Sequence, residues 1–243
     1  MRRIAHVTDL HIRDFLADCY GIDTERNVLA VLHSIKDRGI PEVALTGDLG
    51  EPEWYPWLFD TIRDFGFDLR VIPGNHDVPK ELRKFPFLEP SFKKDGLYYA
   101  EAIDGTDYLF MDSGSEKIGR AQLAWLKREL GSSRRPVALF VHHPILDCGG
   151  TVMDRLYPLK NRGFVRDLLL ASGRETTIFC GHYHNRYETM EGSLRQFVTP
   201  STLIQFKGNG EGLEVDHRRI AYREITMGTG LPETRLIDVQ VAP

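Results

Sequence analysis

The chain is predicted to fold as an α/β protein in which two sheets pack face to face with helices outside. Three observations carry this. Strand-like runs alternate with helix-like stripes through residues 4–72, the pattern of a parallel sheet with crossover helices. Beyond Gly181 the chain reads mostly as strands. No repeat, low-complexity block or Pro-, Gly- or Ser-rich linker interrupts it, so a single domain over residues 1–243 is expected.

The first expected strand is the apolar run 4–8. Residues 24–38 place Val28, Leu29, Val31, Leu32 and Ile35 on one helical stripe, with Thr24 as the expected N-cap and Gly39 after the last turn. A strand at 43–46 precedes a helix at 53–65, which should turn Trp54, Trp57, Leu58 and Ile62 inward. Residues 69–72 form the third strand. Strands at 97–102 and 108–112 flank Asp104-Gly105, a hairpin signal. A helix at 122–130, a strand at 137–141, a helix at 164–171 closed by Gly173 and a strand at 176–180 follow. The remaining strands are expected at 186–190, 195–199, 217–224 and 235–241, with a turn at Glu191-Gly192-Ser193.

The 243 residues are 42% apolar and 27% charged, with a net charge of −4. This suits a globular protein with a substantial core. No long basic run is present, so polymeric nucleic acid is not an expected partner. A small phosphorylated substrate stays open, because metal ions neutralise such a charge locally. Cys19, Cys148 and Cys180 do not read as a disulfide framework. The first residues lack an apolar signal core, and no apolar stretch approaches a membrane span. A cytoplasmic location is therefore expected, with no transmembrane segment. The oligomeric state is left open.

Chemistry concentrates in five short segments, each just after an expected strand: Asp9-Leu10-His11, Gly47-Asp48, Gly74-Asn75-His76-Asp77, His142-His143-Pro144 and Gly181-His182-Tyr183-His184. In extended chain Asp9 and His11 would share one face, a chelating pair of O and N donors suited to Mn, Fe, Co or Zn. Asp48 has two carboxylate oxygens and can bridge two ions, and Gly47 permits a tight turn. Asn75 offers a neutral carbonyl oxygen. His76, with Asp77 beside it to orient it, could serve as a general acid. One imidazole of the 142–143 pair can ligate while the other is packed or supporting. His182 and His184 repeat the two-residue spacing. Most of the nine histidines fall in these segments; His6, His33 and His217 lie outside and read as ordinary.

Counting donors, one site would take Asp9, His11, Asp48 and His184, and a second Asp48, Asn75, His142 and His182. Neither contains a thiolate, and both leave room for water and phosphate. Two adjacent cations are a device for phosphate-ester cleavage, in which a metal-bound hydroxide attacks phosphorus in line.

In this order the segments resemble the calcineurin-like metallophosphoesterases. Residues 47–55, His142-His143-Pro144 with Cys148, Met153-Asp154 and Asn161, and residues 199–206 are similar to bacterial class III cyclic nucleotide phosphodiesterases. The resemblance implies a four-layer α/β/β/α sandwich of two mixed sheets and two divalent transition metal ions. It implies hydrolysis of a small phosphodiester such as cyclic AMP, with Asn75 and His76 on the substrate phosphate, His76 assisting the leaving group, and 199–206 near the pocket. The chain departs from the wider superfamily at Glu51, where Gly-Asp-x-x-Asp is not completed, and it lacks the protein-phosphatase Arg signature. The alternatives are a phosphomonoesterase or a hydrolase of glycerophospho-compounds or nucleotide-lipid pyrophosphates. A non-catalytic scaffold is disfavoured because all the expected ligands are present.

Overall fold

Three parallel strands open the chain, and their carboxyl ends carry the first three of the five segments. A computed structural model describes residues 2–228 and 231–241; of the expected domain 1–243, positions 1, 229–230 and 242–243 lie outside the described residues. Strand β1 (Arg2–Val7) leads through the short helix α1 (Phe15–Tyr20) and α2 (Thr24–Asp37) to β2 (Glu42–Leu45). Helix α3 (Tyr55–Phe65) returns to β3 (Asp68–Val71), followed by α4 (Pro79–Leu82) and a ribbon of β4 (Phe92–Lys93) and β5 (Gly96–Leu97). Next come β6 (Tyr99–Ile103), β7 (Thr106–Met111), α5 (Arg120–Ser132), β8 (Val137–Val141), α6 (Val152–Leu156), α7 (Arg162–Ala171) and β9 (Thr176–Cys180). The chain ends in β10 (Tyr187–Glu191), β11 (Leu194–Val198), a ribbon of β12 (Gln205–Phe206) and β13 (Val215–His217), then β14 (Ile220–Met227) and β15 (Glu233–Val239).

The first sheet has the order β15-β14-β1-β2-β3, parallel from β1 to β3 and antiparallel beyond β1. The second runs β10-β11-β9-β8-β7-β6, with a parallel centre between antiparallel edges. Both sheets are mixed, as expected. Alternation along the second sheet sorts its two faces. Leu109, Met111, Leu139, Val141, Ile178 and Cys180 pack with Trp125 and Leu126 of α5 and with Val165 and Leu169 of α7. Phe110, Phe140 and Phe179 turn the other way, into a core shared with the first sheet, where the His6 ring meets Phe140 and Phe179. There the ring pairs Tyr99–Phe110, Phe110–Phe140, Phe140–Phe179 and Phe179–Phe197 stack at 4.6, 5.0, 5.2 and 5.9 Å. The ring partners are also cross-strand register partners, so one aromatic ladder aligns five strands. The result is a four-layer α/β/β/α sandwich.

Several expectations are corrected. Thr24 is not the N-cap of α2: Asp23 caps it, its carboxylate accepting from Arg26 N–H at 3.0 Å. Leu29 is exposed. Pro52 starts a 3₁₀ turn that holds Trp54, ahead of α3, whose buried face is Tyr55, Leu58, Phe59 and Ile62; Trp54 and Trp57 are half-buried against the same core. The strand expected at 217–224 is two strands, β13 ending at His217 and β14 beginning at Ile220. The hairpin between β6 and β7 turns on Asp104 and Gly105, both with positive φ, as two-residue turns of that kind require.

Candidate metal centre

The five segments follow β1, β2, β3, β8 and β9. Because those strands run parallel within their sheets, their carboxyl ends form one edge, where open α/β sheets place ligands. Two close approaches pack the segments there: the first joins the two sheets, the second joins two turns of the first sheet. A Cβ on Gly181 would stand 2.1 Å from Thr8 Oγ1 and 2.4 Å from Asp9 Oδ2; a Cβ on Gly47 would stand 2.1 Å from the Gly74 nitrogen. Only glycine lets these segments touch.

The expected ligands converge. One ligand atom each of Asp9, His11 and His184 lie within 4.8 Å of one another, and so do those of Asp48, His142 and His182. Asp48 Oδ2 joins the groups, 3.7 Å from His11 Nε2 and 3.3 Å from His142 Nε2. Asn75 Oδ1 is 3.2 Å from His142 Nε2, and Asp9 Oδ1 is 3.3 Å from His184 Nε2. The extended geometry expected for Asp-x-His is wrong. Asp9, His11, Asp48, His182 and His184 all have left-handed φ, between 45° and 66°. Such conformations are costly for residues other than glycine and gather at functional sites.

Each of the four imidazoles has one ring nitrogen engaged by an oxygen. His11 Nδ1 meets Asp14, His142 Nδ1 meets the Thr46 carbonyl at 2.7 Å and His184 Nδ1 meets that of Ile204 at 3.2 Å. His182 is turned over: its Nε2 donates to the Tyr157 carbonyl at 3.0 Å, leaving Nδ1 for the cluster. These contacts engage one nitrogen of each ring and turn the other inward, where it offers a lone pair to a cation once its proton is displaced. His11 Nε2 and His184 Nε2 stand 3.0 Å apart, two acceptors facing each other, an arrangement a shared cation would relieve. The donor set fits a pair of divalent ions.

Electrostatics show a demand for positive charge at the cluster, which protons on the rings meet in place of an ion. Burial opposes the Asp9 and Asp48 charges, but His184 beside the first and His142 beside the second hold both carboxyls below their usual range. Burial would lower His142, yet Asp48 and Asp9 outweigh it and raise it to about 9. His182, chiefly through burial, falls to about 3 and stays neutral.

Other expectations are refined. Asp77 does not orient His76; its carboxylate accepts the N–H groups of Asp48, Leu49 and Gly74 and the Tyr55 hydroxyl, which fixes the two metal-facing turns to each other. His76 is exposed, its ring 5.2 Å from that of His11, while its N–H donates to Asp48 Oδ1. His143 is the packed member of its pair, with Nδ1 2.9 Å from Ser113 Oγ and its ring 4.1 Å from His182. Residues 199–206 form a buried wall behind the ligands. Ser201 Oγ donates to the Asp9 carbonyl at 2.8 Å, and the Phe206 ring stacks on His184 at 5.0 Å. Asp154 accepts from Tyr183 Oη and Arg162, tying the 147–162 loop to the segment that carries His182 and His184.

A family model for calcineurin-like phosphoesterases matches residues 2–186. The chain belongs to that family. It is 30% identical over 237 residues, covering 96% of this chain and 93% of the other, to a protein of Fibrobacter succinogenes named as a probable cyclic nucleotide phosphodiesterase. It is 31% identical to the glycerophosphodiester phosphodiesterase GpdQ of Enterobacter lignolyticus, covering 83% of this chain and 78% of that one. A dimetal phosphatase from Danio rerio shares the fold, with a TM-score of 0.66 at 12% identity over 99% of both chains. The protein is thus a metal-dependent phosphoric ester hydrolase. No helix among the described residues is long and apolar enough to cross a membrane.

Asp14 was missed in the sequence, although it lies three residues past His11; an acid at that offset is the one signal available. The supporting groups of Thr46, Tyr157 and Ile204 are backbone carbonyls, which no residue type announces.

Proposed function

We propose that the chain hydrolyses a small phosphodiester, a 3′,5′-cyclic nucleotide such as cyclic AMP, at a dinuclear centre held by Asp9, His11, Asp48, Asn75, His142, His182 and His184. The observation that carries this reading is the shared Asp48 oxygen between two clusters of O and N donors. The donors suit Mn, Fe, Co or Zn. When bound, the two cations supply a nucleophile at neutral pH and stabilise the charge that grows on phosphorus.

The protein's own groups do the rest. Asn75 and His76 occupy the accessible side of the cluster, the first half-buried and the second exposed. Asn75 orients the phosphate, and His76 holds a proton for the departing oxygen. The Asp77 lock on the Asp48 and Gly74 turns keeps both at fixed height above Asp48. The relative named as a cyclic nucleotide phosphodiesterase supports this substrate class. A glycerophosphodiester is the second reading, favoured by the 31% identical relative. A cytoplasmic place of work accords with three free cysteines.

The test is a panel assayed with added Mn: cyclic AMP, glycerophosphodiesters, bis(p-nitrophenyl) phosphate and p-nitrophenyl phosphate. Cyclic AMP is expected to have the highest kcat/KM. Preference for the monoester would reject a diesterase, and preference for glycerophosphodiesters would replace the first reading with the second.

A further inference from the structure

Beside the metal cluster lies a cavity of about 560 Å³ whose chemistry the reaction above does not use. Its walls come from the segments after β3 and β7, on the same strand-end edge as Asn75 and His76. Gly114 in one wall approaches the Gly74 carbonyl so closely that a Cβ would stand 2.6 Å from it, so the cavity abuts the back of the 74–77 turn. Lys80, four residues past His76, is at most about 14 Å from it along the main chain.

Lys80, Arg83, Lys94 and Lys117 line this space. Among the described residues the three lysines have no carboxylate within ion-pair reach. The Arg83 guanidinium lies over the Phe92 ring at 4.7 Å and donates to the Lys93 carbonyl at 3.1 Å. This holds its planar fork in place and leaves further N–H groups for a ligand. The carboxylates of the same walls are already engaged. Asp77 is held by three backbone N–H groups, Asp112 accepts from Leu97 and Gly114, and Asp95 accepts from Tyr98 Oη. Four cationic side chains stand against three carboxylates in these walls, and the lysines, free of ion pairs among the described residues, offer the donors that recognise phosphate.

We propose that this cavity binds a second phosphate carried by the substrate, so that the enzyme also acts on diesters bearing an additional phosphate, such as a 5′-phosphorylated dinucleotide. The proposal rests on the diesterase reading for the metal centre and adds a substrate class to it. The scissile diester sits at Asn75 and His76, and the remote phosphate reaches past the 77–80 segment to the lysines.

The experiment compares the dinucleotide ApA with its 5′-phosphorylated form pApA on the full, Mn-loaded chain. Alongside it runs equilibrium dialysis of inorganic phosphate. The expected KM for pApA is about tenfold below that for ApA, the scale of two solvent-exposed charge contacts, and phosphate occupies two sites. In the Lys94→Ala/Lys117→Ala double variant, both positions being exposed, the KM difference disappears and one phosphate site remains. Hydrolysis of bis(p-nitrophenyl) phosphate is unchanged. Equal KM values for ApA and pApA in the unaltered chain overturn the proposal; should phosphate still fill two sites, the cavity binds the free anion only. If no diester is hydrolysed at all, the diesterase reading has failed. The dialysis then decides the cavity alone, a single phosphate site in the unaltered chain overturning it.

Discussion

The Asp14 carboxylate holds His11 Nδ1 with one oxygen and the backbone N–H of Ala17 with the other, at 3.1 Å for the latter. One side chain thus caps α1 and sets the tautomer of a metal-facing imidazole. The two roles separate by substitution. Asp14→Ala is expected to lose the cap, at about 1 kcal/mol, and to weaken metal affinity by about 10- to 100-fold. Asp14→Asn keeps an acceptor for Ala17 and therefore most of the stability, but removes the charge behind His11. Metal titration together with the urea midpoint checks this; undiminished affinity in both variants would reduce Asp14 to a helix cap.

Asp48 Oδ2 stands between the two groups, 3.7 Å from His11 Nε2 and 3.3 Å from His142 Nε2, so on the proposed reading both would lose a ligand with it. Asp48→Ala is expected to abolish hydrolysis and to reduce bound metal below one ion per chain, as read by elemental analysis after gel filtration. Retention of two ions would show that Asp48 is not shared between them.

His76 contacts the cluster through its backbone N–H and through its exposed ring, centred 5.2 Å from that of His11 and, among the described residues, making no hydrogen bond to the ligands. His76→Ala should therefore keep both ions. It should lower kcat by about 10²- to 10⁴-fold for substrates with poor leaving groups, and by less for nitrophenyl esters, whose leaving group needs no proton. An equal loss across leaving groups would remove His76 as the proton donor.

The positions that converge were legible because chelating residue types recur just past apolar runs that could only be strands. Asp9, Asp48, His142 and His184 announce themselves in this way. The backbone that brings them together did not. Asp9 and His11 converge through successive left-handed turns, and residue identity alone does not report a positive φ at a position that is not glycine. The partners of Nδ1 on His142 and His184 are main-chain carbonyls of Thr46 and Ile204, fixed by tertiary packing. Likewise the inward face of α3 is only half legible: Leu58 and Ile62 are buried as expected and Trp54 and Trp57 pack half-buried against the same core, while Tyr55 and Phe59 fill its centre. Asp77 looked like a partner for His76 because it is adjacent in sequence. The tight turn points its carboxylate at three N–H groups instead.

The approach of the two sheets at the metal edge can be tested by filling the space that Gly181 leaves. Its N–H donates to the His142 carbonyl at 2.9 Å, and the next N–H, that of His182, donates to both Asp9 oxygens at 3.1 and 3.0 Å. A methyl group at Gly181 would press on Thr8 and Asp9 at 2.1 and 2.4 Å, where Asp9 is fully buried and cannot swing aside. The end of β9 must then shift from β1, moving His182 and His184 away from Asp9. Gly181→Ala is expected to cost about 1–3 kcal/mol of stability, the range for overpacking a close contact, and to lose metal at the site shared by Asp9 and His184. Gly212→Ala is the control, since a Cβ there meets nothing within 4 Å; it should leave the urea midpoint and the metal content unchanged. If Gly181→Ala matched this control in both measurements, the contact between the two strand ends would not be what holds Asp9 and His184 together.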